Sequence, residues 1–221
     1  MPPKDSVNYF KASLVLVALS LLVTVWAHPL MPEKIATHWN AAGQANGFAP
    51  PIWNFLIPVI ALAILALLYA LPKLDPLAKN FKGFMPIYQK FVLAITAFLV
   101  YLSLLSTAFN LGYVTDFNTY FAPAFAVLFW VAGVAMAQSK RNWFFGFRTP
   151  WTLSSDVVWK KTNELGGKLF KAFAVIFLLA GLTYPAGFLV PAIVLLVAGV
   201  LAITGYSYVL WKKENAKGRK R

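Results

Sequence analysis

Apolar residues run along this chain in long unbroken stretches. They show neither the alternation of a half-buried strand nor the three-to-four spacing of an amphipathic helix. About 20 apolar residues carry a helix across the hydrocarbon core of a bilayer. Tyr9–Ala27, Pro51–Leu71, Phe91–Phe109 and Tyr120–Ala137 each suit that length. The uncharged run Ala172–Leu210 is too long for one crossing and suits two, divided at the turn-forming Thr183-Tyr-Pro-Ala-Gly187. The pattern predicts an all-α fold: a polytopic membrane bundle of six transmembrane helices.

Composition supports this. The chain is 60% hydrophobic and 12% charged, against roughly 45–50% and 25% in soluble domains. The net charge of +13 opens a nucleic-acid reading. The basic residues, however, lie between apolar spans rather than on one soluble surface, so no direct nucleic-acid partner is expected. Of the 20 Lys and Arg, only Lys34 falls in a loop on the side opposite the termini. Short loops rich in Lys and Arg stay in the cytoplasm, which predicts a multi-pass plasma-membrane protein with both termini cytoplasmic. Lys4, and Lys11 ahead of the apolar run Ala12–Ala27, resemble the start of a signal peptide. No small-x-small cleavage site precedes Trp26-Ala-His-Pro, so the segment is read as a retained span. Cysteine is absent, which excludes disulfides, Cys-based zinc sites and thiol catalysis.

Apart from Lys11 at the very start of the first span, no Asp, Glu, Lys, Arg or His lies within the predicted spans. Ion- and proton-coupled machines usually place such groups at mid-membrane, so a pump is disfavoured. The polar residues in the spans are hydroxyls such as Ser13, Ser20, Thr24, Thr96 and Ser103, read as helix-packing groups. The organisation expected is a two-span unit over 9–72, a four-span unit over 86–211 with a basic loop at 138–171, and a basic tail at 212–221. Chemistry is then confined to two loops.

The outer loop, Leu30–Pro50, groups His38, Trp39 and Asn40, followed by Gly43 and Asn46-Gly47. Asn-Gly favours a turn and Gly43 permits another, so a compact turn structure is expected at the outer face. It reads either as a binding surface for an extracellular ligand or as an ordered loop whose polar groups bond one another. His28, Glu33 and His38 match no metal-ligand spacing, and no metal or cofactor is expected.

The inner loop carries Trp143, Trp151 and Trp159 at intervals of eight residues, interleaved with Phe144, Phe145 and Phe147. Such a segment lies on the membrane surface or folds under the bundle. Arg141, Arg148, Lys160 and Lys161 would then face anionic headgroups. Ser154 as N-cap, Asp156 in the first turn and Gly166-Gly167 as terminator predict a short interfacial helix of about ten residues. Ser154, Ser155 and Asp156 have no histidine or other base in the loop, so no catalytic residue is assigned.

Asn142, Gly146, Arg148, Thr149, Pro150, Trp151, Thr152, Leu153, Ser154 and Trp159 resemble the signature of the SdpI family of bacterial and archaeal membrane proteins. His38, Trp39, Asn40, Gly43 and Gly47 resemble a small domain of unassigned function often found ahead of that signature. Ala36 and Asn46 stand where that pattern expects Pro and Asp, and Asn163 where a histidine is frequent. The resemblance implies a non-enzymatic immunity or signalling protein. Its outer loop would meet an extracellular peptide toxin, and its basic inner face would meet a cytoplasmic transcriptional repressor. A small-molecule or peptide transporter and a structural membrane protein without ligand are the alternatives.

Overall fold

A computed structural model describes residues 9–218. Its elements run α1 (Tyr9–Ala27), β1 (Ile35–Trp39), β2 (Ala45–Ala49), α2 (Leu56–Leu74), α3 (Ala78–Phe81), α4 (Met85–Asn110), α5 (Phe117–Gln138), α6 (Pro150–Ser154), α7 (Asp156–Thr183) and α8 (Leu189–Gly218). Six of the helices, α1, α2, α4, α5, α7 and α8, are long and apolar enough to cross a membrane. The division at Tyr184–Phe188 falls where the turn residues predict it, and Tyr184 N–H closes α7 on Ala180 C=O.

Helices exceed the predicted spans wherever charged residues flank the apolar run. Nothing breaks the hydrogen-bond ladder there, and long basic side chains can reach toward water from inside a helix end. Lys90 thus lies within α4, and Lys160, Lys161, Lys168 and Lys171 lie within α7. The basic tail begins as the last turns of α8. Lys4 and residues 219–221 lie outside the described residues.

α1 buries one stripe, Ser13, Val17, Ser20, Thr24 and Ala27, against α4. The small side chains allow close approach where lipid offers no hydrophobic drive. The hydroxyls mostly satisfy themselves within their own helix. Ser13, Thr24, Thr96 and Thr204 donate to the carbonyls of Tyr9, Ser20, Val92 and Val200 at 2.8–2.9 Å. α5 and α7 pack most closely. A Cβ added at Gly133 would lie 2.7 Å from the Gly167 carbonyl oxygen. Beside this contact, Phe125, Phe129, Phe173 and Phe177 stack into a continuous aromatic layer with neighbouring centroids 4.8–5.5 Å apart.

Four local expectations are corrected. The short helix of the inner loop is α6, five residues long. Ser155 caps the next helix, accepting from Val158 N–H at 3.3 Å, while Ser154 Oγ donates to Trp151 C=O. Gly166 and Gly167 do not end that helix, which continues to Thr183. Their helix-propensity cost of about 1 kcal/mol each is offset by the contact with α5. The outer loop is a β-hairpin, an addition to the all-helical frame, and its turn is Asn40–Gly43. Asn46 and Gly47 lie within β2.

Candidate functional site

Two structured caps occupy opposite ends of the bundle. In the outer one, the chain turns at Asn40, whose C=O accepts from Gly43 N–H at 2.9 Å. Its side-chain oxygen accepts from the N–H groups of Ala42 and Gln44, each at 3.0 Å. Gly43 has φ +79°, a conformation that favours a residue without Cβ. Gly47 faces His38, and a Cβ there would come within 2.9 Å of the His38 Cβ.

The hairpin is bolted to the helices below it. Asn110, the last residue of α4, bonds both sides of Ala36: its Oδ1 accepts from Ala36 N–H at 2.7 Å, and its Nδ2 donates to Ala36 C=O at 3.0 Å. Asn118, in the first turn of α5, donates to Ala41 C=O at 3.0 Å and Pro185 C=O at 2.8 Å. Trp39 stacks on Phe117 at 4.1 Å and meets Phe109 edge-on at 5.2 Å. Trp39, Asn40, Gly43 and Gly47 therefore build the hairpin, and His38 is displayed by it. The exposed His38 ring pairs Nδ1 with Asn46 Oδ1 at 2.6 Å. Phe48, Ile52 and Trp53 leave at least half their surface exposed beside it. Among the described residues, no three His, Cys, Asp or Glu gather as a metal site.

The inner cap is a folded knot. Asn142 is fully buried. Its Nδ2 donates to Lys140 and Phe145 C=O, and its Oδ1 accepts from Phe144 and Phe145 N–H, all at 2.6–2.9 Å. That uses the full capacity of a side-chain amide. Gly146 has φ +107°, and a Cβ there would lie 2.5 Å from Asn163 Oδ1. That oxygen instead accepts from Phe147 N–H at 2.7 Å. Trp159, fully buried, donates from Nε1 to Ser139 C=O at 3.1 Å. Thr149 and Thr152 form a reciprocal capping box, with Pro150 as the first residue of α6. Thr149 Oγ1 also lies 3.1 Å from Ser207 Oγ of α8. Trp151 packs on Tyr208 of the same helix.

Arg148 is different. Its guanidinium donates to Trp143 C=O at 2.7 Å at an exposed position. Arg141 makes an ion pair at this end, with Nε 2.8 Å from Asp156 and Nη1 donating to Leu153 C=O. Two further tethers come from the α2–α4 connection. Asp75, 4% exposed, accepts from Leu77 N–H at 2.6 Å and Trp143 N–H at 2.8 Å. Asn80 donates to Arg141 C=O at 2.6 Å. Phe145 reaches under the bundle to Phe84, Tyr88 and Phe91.

Sequence reasoning passes over Asp75, Asn80, Asn110 and Asn118. One signal was available for three of them: Asp75, Asn110 and Asn118 are acid or amide side chains close to the ends of apolar spans, where a buried polar group needs a partner.

Residues 138–209, holding the whole inner knot and its α8 contacts, match the model of the SdpI/YfhL protein family. Residues 15–62, spanning the hairpin, match a domain of unknown function, DUF1648. The chain is 28% identical over 206 residues to Immunity protein SdpI of Bacillus subtilis (strain 168), covering 92% of this chain and 96% of that protein. No solved structure matches the chain.

Proposed function

We propose that this chain is a non-enzymatic immunity protein of the plasma membrane, with both termini and the inner knot in the cytoplasm and the hairpin outside. The hairpin binds a secreted peptide toxin, and the knot presents its altered surface to a cytoplasmic transcriptional repressor. The observation that carries this reading is the likeness to an immunity protein along nearly the whole chain. The arrangement of the caps supports it. α4 joins Asn110 at the hairpin to Tyr88 and Phe91 at the knot. α5 joins Asn118 at the hairpin to the Ser139 end that holds Trp159.

The display of His38 and Phe48 suits an amphipathic peptide lying at the membrane surface. An imidazole and an amide offer polar contacts, and Phe48, 61% exposed, offers apolar area. The test is survival of a sensitive bacterium that expresses the chain and is challenged with peptides secreted by the chain's native host. The intact chain should protect. The double variant His38→Ala/Phe48→Ser should lose most protection at equal membrane abundance, because both side chains are displayed rather than structural. Full protection by that variant would remove the hairpin from the mechanism.

A further inference from the structure

On the end of the bundle that carries the inner knot, α1, α2, α3 and the start of α4 enclose a groove of about 890 Å³. That volume lies within the range of roughly 300–1,000 Å³ typical of ligand pockets. Its wall is apolar, with Leu14, Leu62 and Ala66 along its length and the buried Leu65 and Phe81 behind. Its rim holds Lys11, Lys73, Lys79 and Lys82, and among the described residues no acidic one lines it. Lys73 is held with Nζ 4.3 Å above the Tyr69 ring. From Leu62 to Lys73 along α2, the helical rise places the apolar end about 16 Å below the charged rim.

An apolar channel of that depth beneath a ring of cations is complementary to one class of molecule. We propose that the groove holds an anionic phospholipid, with its phosphate among Lys73, Lys79 and Lys82 and one acyl chain along Leu62 and Ala66. The groove wall includes the exposed lipid-facing side of α1 and α2, so the lipid enters sideways from the bilayer. The site lies next to the knot: Asn80 of α3 bonds Arg141, and the Lys140 side chain packs over Gly83. A bound lipid would brace the same connection that holds Asp75 against Trp143.

Native mass spectrometry of the full chain, released from nanodiscs of phosphatidylglycerol and phosphatidylcholine in equal parts, tests this. The chain should retain phosphatidylglycerol over phosphatidylcholine by at least about tenfold, since each nearby Lys contributes on the order of 1 kcal/mol toward an anionic lipid. Lys73→Ala/Lys79→Ala/Lys82→Ala should bring the two lipids to near parity. Lys160→Ala/Lys161→Ala/Lys168→Ala, which removes the same charge elsewhere, should keep the preference. Ala66→Trp leaves the lysines in place and fills the channel, and it should also lose the retained lipid. Four outcomes would overturn the proposal: equal retention by the intact chain, equal loss in the two lysine variants, undiminished retention by Ala66→Trp, or displacement of the lipid by inorganic phosphate.

Discussion

Single side chains decide whether the inner knot holds. Asp75 is a buried carboxylate whose two oxygens each accept a backbone N–H, and one of those comes from the loop it anchors. Removing it with Asp75→Ala strands Trp143 N–H and should cost about 1–3 kcal/mol, read as a lower midpoint of heat unfolding in detergent. Gly146→Ala should cost a similar amount, about 1–3 kcal/mol. It combines a φ of +107° with a Cβ placed against the oxygen that Phe147 uses. The residue scale is also where sequence reading was least complete. Asn142, Gly146, Thr149 and Trp159 were legible as a pattern. Their role as the interior of a knot was not, because it depends on Asp75 and Asn163, which are distant in sequence or stand out only once folded. His38, Trp39 and Asn40 read as one motif, yet the fold separates them into a displayed ring, an anchor and a turn-former.

Elements follow two different logics. The spans were legible because hydrocarbon thickness sets their minimum length and excludes charge, so composition alone marks them. Their ends were not, since a helix continues past the hydrocarbon until a cap or turn stops it, as Ser155 and Tyr184 do here. The hairpin was legible only as a turn. Its strands are five residues each with register irregularities, too short and uneven for an alternating pattern to emerge. Gly166 and Gly167 show how a stop signal gives way to packing. A side chain at Gly167 would run into the Gly133 carbonyl and Ala137, whereas Gly205 of α8 has nothing within 4 Å. Gly167→Leu should therefore destabilise the α5–α7 pair by about 1–3 kcal/mol. Gly205→Leu should leave unfolding within about 0.5 kcal/mol of the parent. Equal effects from the two would deny the glycine contact its structural role.

At the scale of the whole molecule, the bundle is a frame that holds two loops apart. Its buried hydroxyls largely turn back on their own helices, its charges sit at the ends, and α4 and α5 each touch both caps. The proposed function depends on which cap meets the outside. The chain has no cysteine, so single introduced thiols report sidedness without background. Thr37, exposed on β1, and Lys160, exposed near the start of α7, mark the two ends. The decisive measurement is labelling of Thr37→Cys and Lys160→Cys in intact cells with a membrane-impermeant maleimide. The account predicts that Thr37→Cys reacts in intact cells and Lys160→Cys reacts only after permeabilisation. The reverse pattern would place the hairpin in the cytoplasm and contradict its role as the surface that meets a secreted peptide.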